Sequence, residues 1–344
     1  MADRRRFLSI VAACAASAPF AGARAGAAAE AVAWRGTAMG ALASMTLVHS
    51  DREKAQALVQ RCIDEIRRLE SVFSLYRADS SLSRLNAAGE LRDPPVELVE
   101  LMSQSLDLAR SSGGAFDPTV QPLYRLYAAH FALPDASATG PSAAAISATL
   151  RNVGFAGVEL RADHIRLRRP GMGITLNGIA QGFVTDRVAD LLHDAGLVNL
   201  MIDLGEARAH GRSARAMRGA RRSPTRASRR ACCLESRRWA RTPRVARTGH
   251  VGRIRHRLRT DPRIHHLFDP GTGRSVNRYL SVSVAAPRAA MADGLSTALS
   301  VMPPSAPPGC SPTIRWHAPG SSSPTARSRC WVVAHGPTVR CAGA

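Results

Sequence analysis

Asp293 and Thr297 stand four residues apart in Met291-Ala292-Asp293-Gly294-Leu295-Ser296-Thr297-Ala298-Leu299, a run whose Met, Leu and Ala recur at helical spacing. Positions i and i+4 share a helix face, so a carboxylate and a hydroxyl project together, one turn apart. Two hard oxygens so placed suit Mg²⁺; the same pair also fits an exposed polar stripe. Upstream, His265-His266-Leu267-Phe268-Asp269-Pro270 carries two imidazoles, side chains that titrate near neutral pH and suit proton transfer. Neighbouring strand residues face opposite sides, so the two histidines cannot both face one site. A structural strand histidine is the competing reading for either.

The elements that must position these groups are legible as patterns. Residues 35–48 read as a strand with a turn or bulge at Met39-Gly40. Ser50-Asp51-Arg52-Glu53 is a capping-box pattern opening a helix with Leu58, Cys62, Ile66 and Leu69 on one stripe. Residues 73–86 read as a polar loop, and 95–112 as a helix stopped by Gly113-Gly114. A rigid connector spans 115–120, and a linker at 140–144 leads into a short helix. Strands are expected at 158–160, 165–167, 173–176, 198–204 and 280–285, with a helix at 179–195 ending at Gly196.

The chain has 344 residues, enough for one large domain or two small ones, and a net charge of +21. Such a charge ordinarily points to nucleic acid or an anionic surface, but here it is local. Residues 212–263 hold eighteen arginines against two acids, Glu235 and Asp261, and the rest of the chain is close to an ordinary soluble protein. Lys54 is the only lysine, an imbalance expected of a GC-rich coding sequence. From 212 to about 260, and again after Met302, periodicity breaks off abruptly. Three readings of these breaks are open: basic insertions, nucleic-acid-binding arms, or translation out of frame, which the sharp edges favour. Trp239 alone interleaves the arginines, too little stacking surface for a nucleic-acid arm, so no nucleic-acid partner is expected.

At the N-terminus, Arg4-Arg5-Arg6-Phe7-Leu8 and the apolar run 10–23 fit a twin-arginine export signal over 1–29. The expected handler is the twin-arginine export machinery, and the expected location is the periplasm, in solution or at the membrane. The run is too short to span a bilayer convincingly. Of seven cysteines, only Cys62 sits in a well-patterned segment, and none makes a CxxC spacing.

Seven motifs in order carry a resemblance: Gly36-Thr37-Ala38-Met39-Gly40; Phe73-Ser74-Leu75-Tyr76-Arg77 with residues 80–86; Gly114-Ala115-Phe116-Asp117-Pro118-Thr119-Val120; Leu176-Asn177-Gly178-Ile179-Ala180-Gln181-Gly182-Phe183-Val184-Thr185-Asp186; Asp203-Leu204-Gly205-Glu206; His266-Leu267-Phe268-Asp269-Pro270-Gly271-Thr272-Gly273; and residues 292–299. Together they resemble the ApbE family of FAD:protein FMN transferases, closest to its periplasmic NosX-type branch. The likeness covers about 35–211 and 264–302.

The resemblance implies a single α+β domain over 30–302, with mixed sheets and flanking helices, followed by an atypical tail over 303–344. It implies FAD as substrate with Mg²⁺, transfer of the FMN half to a Thr or Ser hydroxyl of an acceptor flavoprotein, and release of AMP. Asp293 and Thr297 match the family's metal ligands, with the Ala180 carbonyl as a third oxygen, and His266 matches its general base. Met39, Tyr76, Ser80, Phe116, Asp117, Gly178, Gln181 and Asp269 match its cofactor-binding positions. Met39 is expected against the flavin ring, Tyr76 and Ser80 beside it, Phe116 as a stacking face and Asp117 as an acceptor for adenine or ribose. Gly178 and Gly182 are expected to let phosphate approach the start of a helix. Gln181 stands where many relatives carry Lys, as in the NosX-type branch, which implies a NosR-like membrane-bound acceptor. No counterpart of the family's strands is evident between 211 and 264 or after 302, so a destabilised domain is expected. The alternatives are an FAD pyrophosphatase giving FMN and AMP, and an inactive relative with a basic binding segment.

Overall fold

The structure is a computed structural model, describing residues 30–197, 200–210, 245–252, 264–279, 281–303 and 331–335. The expected export signal, most of 212–262 and most of the tail lie outside the described residues.

The chain opens with a hairpin, β1 (Glu30–Ala38) and β2 (Ala41–His49), paired antiparallel with Ala38 opposite Ala41. Met39 and Gly40 form the two-residue turn, both at positive φ (52° and 76°). That geometry matches the right-handed twist of the strands, and only Gly40 adopts it without cost. Helix α1 (Arg52–Phe73) is capped by Asp51, whose carboxylate accepts from the Lys54 N–H, and buries the expected Leu58, Cys62, Ile66 and Leu69. Burial pushes the Cys62 thiol up to about 12, so it behaves as a small apolar residue.

Then come α2 (Ser81–Ala88), β3 (Glu90–Arg92), α3 (Val96–Ser111), α4 (Gln121–Phe131), α5 (Ala143–Leu150), β4 (Val158–Leu160) and β5 (His164–Leu167). Strands β3, β5 and β4 form a small antiparallel sheet in that order. Beyond it lie α6 (Ala180–Asp194), β6 (Leu200–Asp203), β7 (Ala207–His210), β8 (Val245–Gly252), β9 (Ser281–Ala285), α7 (Ala289–Val301) and β10 (Trp331–His335). The main sheet runs β1-β2-β6-β7-β8-β9-β10 with every neighbouring pair antiparallel, and α6 packs on both α1 and α7. The fold is thus α+β, as expected.

Four expectations are corrected. The sheets are not mixed: every pairing among the described strands is antiparallel. Part of the polar loop is helix α2, opened by Ser80 and closed by Gly89 at φ 75°. Strands do occur in the atypical segments: β8 bridges β7 and β9, and β10 pairs with β9, so the main sheet is continuous through these positions. Residues 173–176 form no strand. Their backbone is held by other means: the Asn86 amide donates to the Ile174 carbonyl (2.8 Å) and accepts from its N–H (2.6 Å), and the Thr175 N–H donates to the Pro118 carbonyl (2.8 Å). This imitates one rung of a ladder with a side chain, and fixes the segment that enters α6. Because Ile174 is fully buried, Asn86→Leu strands both its polar groups and is expected to cost about 3 kcal/mol in urea unfolding. A loss below about 1 kcal/mol would show that the bracket does not hold the segment.

Candidate active site

The start of α6 and the face of α7 meet at unusually short range. A Cβ on Gly182 would lie 2.3 Å from the Ala289 carbonyl oxygen and 2.6 Å from the Ala290 nitrogen. Any side chain there would push backbone against backbone, so the sequence needs glycine for helix contact. Gly182 therefore serves α6–α7 packing, and its N–H is spent on Asp293 rather than held open for phosphate: Asp293 Oδ2 accepts from it at 3.1 Å.

Asp293 is buried, and its carboxylate accepts no other hydrogen bond among the described residues. Loss of hydration pushes its pKa up to about 7, opposed only by the Gly182 N–H. One turn on, the Thr297 hydroxyl lies 3.4 Å from the Gly178 carbonyl oxygen, and a Cβ on Gly178 would fall 3.0 Å from Thr297 Oγ1. Both side chains of the i, i+4 pair thus reach across to one short stretch, Gly178–Gly182, at whose centre Ala180 is buried in the first turn of α6. A buried carboxylate with a single neutral donor, beside hydroxyl and carbonyl oxygens, is a donor set that a hard divalent cation would complete. Among the described residues no three His, Cys, Asp or Glu side chains converge; this set has one carboxylate and otherwise neutral oxygens.

The His266 segment docks at the far end of the same helix. Leu267 and Val276 pack with Val301, one turn beyond Thr297, and Ala115 of the rigid connector packs against that cluster. The Arg278 guanidinium donates to the Val301 carbonyl. His265 is fully buried, with its Nδ1 accepting from the Leu267 N–H, whereas His266 is half-buried. Gln181 reaches a further motif: its Oε1 lies 2.7 Å from the Cβ position of Gly205, which has φ 101° in the turn after β6. Five of the seven motifs are thereby drawn to the two ends of α7 and the start of α6.

The two N-terminal motifs meet each other. The Met39 N–H donates to Glu70 Oε1 at 2.7 Å, which holds the strained turn onto α1. Beside it the Tyr76 ring lies 3.6 Å from the Cβ position of Gly40 and is 75% exposed. Burial holds the Tyr124 hydroxyl of α4 above its usual range, and the Tyr76 phenol adds to the rise. In α4, Tyr127 packs on Phe268, 4.8 Å between ring centres.

Four expected ligand-binding side chains make contacts within the fold. Ser80 is fully buried; its hydroxyl donates to the Ser74 carbonyl and accepts from the Ser83 N–H, capping α2. Phe116 is a core residue with no exposed stacking face. Asp117 uses both oxygens internally, accepting from the Thr119 N–H (2.8 Å) and hydroxyl (2.6 Å) and the Phe155 N–H (3.0 Å). Burial still holds its pKa above the ordinary value. Asp269 folds its own loop, accepting from the Gly271 and Thr272 N–H groups. Two residues without an assigned role hold site segments: Glu70 accepts from the Met39 N–H, and Asp186, one turn after Gly182, accepts from the Ala290 N–H.

A family model described as the ApbE family matches residues 39–309. A relative from Treponema pallidum named FAD:protein FMN transferase is 32% identical over 276 residues, 74% of each chain. One of the same name from Klebsiella pneumoniae is 28% identical over 284 residues, 78% of each. The solved ApbE protein from Thermotoga maritima superposes with a TM-score of 0.63 at 22% identity, covering 79% of this chain and 87% of its own. The protein is an α+β domain of the flavin-transferase fold. It belongs to the ApbE family.

Proposed function

We propose that this chain is an FAD:protein FMN transferase, working with Mg²⁺ at the α6–α7 junction and handing FMN to a Thr or Ser hydroxyl of an acceptor flavoprotein. The observation that carries the reading is the convergence of Asp293 and Thr297 on Gly178–Gly182, in a chain whose curated relatives bear that enzyme name. The acceptor oxygen attacks the phosphorus of the FMN half, the bond to the AMP oxygen breaks, and AMP leaves. Bound Mg²⁺ would supply charge neutralisation on the diphosphate.

The residues of the chain itself do the rest. Asp293, Thr297 and the Ala180 carbonyl would hold the cation. His266, half-buried on the segment anchored to Val301, is assigned the proton of the attacking hydroxyl. Met39 and Tyr76 offer the flavin an apolar, polarizable and aromatic surface at the hairpin turn. Gly178 and Gln181 stand at the entrance to α6, and Asp269 sets the loop behind His266. Ser80 caps α2, Phe116 fills the core and Asp117 folds its own loop, so all three hold the surrounding fold in place. The export pattern at Arg4-Arg5-Arg6-Phe7-Leu8 and the Gln at 181 favour a periplasmic NosX-type enzyme whose acceptor is a NosR-like membrane flavoprotein.

The test is product analysis with FAD, Mg²⁺ and a purified acceptor of that kind. FMN-modified acceptor and AMP in equal amounts are expected; free FMN and AMP with unmodified acceptor would make the protein a pyrophosphatase instead. In the same assay His266→Ala is expected to slow transfer about 10²–10⁴-fold with FAD binding retained. An unchanged rate would remove His266 from the proton transfer.

A further inference from the structure

Helix α7 starts without its own cap. Arg288 occupies the N-cap position and makes no capping side-chain hydrogen bond, and the first turn holds no acidic residue. The N–H groups of a first turn need acceptors, and the positive end of the helix favours a carboxylate nearby. Both come from the other helix. Asp186 of α6 is fully buried, and its Oδ2 accepts from the Ala290 N–H at 3.0 Å. The Arg288 guanidinium sits 3.3 Å from the same carboxylate and reaches Asp190 at 2.7 Å, one turn further along α6.

The arrangement is reciprocal. An α7 amide (Ala290) donates to an α6 carboxylate (Asp186), and an α6 amide (Gly182) donates to an α7 carboxylate (Asp293). Gly182 and Asp186 are one turn apart on α6; Ala290 and Asp293 are about one turn apart on α7. The two bonds flank the point where the Gly182 backbone meets Ala289 and Ala290. A helix pinned at two points cannot slide along its neighbour or roll against it. One of the two pins is itself a proposed cation ligand.

We propose that Asp186 is a positioning residue: by capping α7 across the α6–α7 interface, it fixes where Asp293 and Thr297 stand against Gly178–Gly182. The inference rests on the reading of Asp293 and Thr297 as cation ligands. It assigns Asp186 no contact with metal or substrate.

The test is Mn²⁺ binding to the purified full chain, followed by electron paramagnetic resonance, for the wild type, Asp186→Ala, Asp186→Asn and Asp293→Asn, with thermal unfolding recorded for each. Asp186→Ala is expected to weaken Mn²⁺ binding about tenfold, the scale of outer-shell ligand partners. It should raise the Mg²⁺ concentration for half-maximal transfer in step, with kcat at saturating Mg²⁺ largely kept. Asp186→Asn keeps an acceptor for the Ala290 N–H but loses the charge facing Arg288, so its affinity should fall between the two. If Asp186→Ala does not fold, Asp186→Asn decides alone. A lowered melting temperature with Mn²⁺ affinity unchanged in the folded variant would make Asp186 merely structural and overturn the proposal. Asp293→Asn separates the two ideas: if it leaves Mn²⁺ binding intact, the cation site itself is wrong and the proposal falls with it.

Discussion

Asp293→Asn is expected to reduce flavin transfer by at least about a hundredfold while making the metal-free protein more stable at pH 8. The first effect follows from removing the only carboxylate of the proposed cation site, where charge neutralisation on the diphosphate is worth several kcal/mol. The second follows from burial. Desolvation lifts the Asp293 carboxyl from 3.8 to about 7 in the folded chain. Below pH about 4 it is protonated whether folded or unfolded and affects stability little. As pH rises from there to about 7, the unfolded chain ionises freely while the folded chain resists. Stability is therefore lost across that window and stays lost above it. An amide at the same place can still accept from the Gly182 N–H and carries no such penalty. Thermal unfolding without metal should therefore show the variant gaining on the wild type between pH 5 and pH 8. Saturating Mg²⁺ should reverse the order at pH 8, because the wild type gains binding energy that the variant cannot. A variant equally stabilised by Mg²⁺ would remove Asp293 from the site.

Gly182→Ala should be the most damaging single-methyl change near the site. Alanine is the better helix former by about 1 kcal/mol, yet its Cβ would sit 2.3 Å from the Ala289 carbonyl oxygen. Backbone cannot move aside as a side-chain tip can, so α6 and α7 must part, at a net cost of about 3 kcal/mol. The separation also stretches the Gly182–Asp293 bond, so Mg²⁺-dependent stabilisation should fall as well. Gly178→Ala is the comparison: its Cβ would meet the Thr297 side chain at 3.0 Å, and a side chain can yield. Urea unfolding of the two variants with and without Mg²⁺ checks the contrast. Equal, small losses would mean that the helices are not in fixed contact at Gly182.

Where the sequence alone was informative, one face was buried and the other wet. Helix α1 shows its Leu58-Cys62-Ile66-Leu69 stripe because solvent covers its opposite side, and Asp51 marks its start. The Asp293–Thr297 pair is the exception: α7 is buried almost all round, and the pair is legible from its residue types and four-residue spacing alone. Helix α2 hid because it is short and polar, with only Leu82 and Leu85 buried. Residues 173–176 have the composition of a strand, but Asn86, distant in sequence, takes the place of a partner strand. Strand β8 lies in an arginine-rich stretch whose alternation is too weak to register; its place is set by pairing with β7 and β9.

Roles were harder to read than elements. Motif position marks Ser80, Phe116 and Asp117 as near the cofactor. It cannot show that a hydroxyl caps a helix, a ring fills the core or a carboxylate folds its own loop. Gly182 is the same kind of case. A glycine at a helix start admits either a phosphate or another helix, and only the position of Ala289 distinguishes them.

The proposed transfer chemistry depends on a divalent cation at the α6–α7 junction. Its most direct test is anomalous diffraction from crystals of the protein grown with FAD and Mn²⁺. One strong Mn²⁺ peak is expected within about 2.0–2.4 Å of an Asp293 carboxylate oxygen and the Thr297 hydroxyl, next to the Ala180 carbonyl. Bound FAD with no peak there, or with the only peak elsewhere, would contradict it.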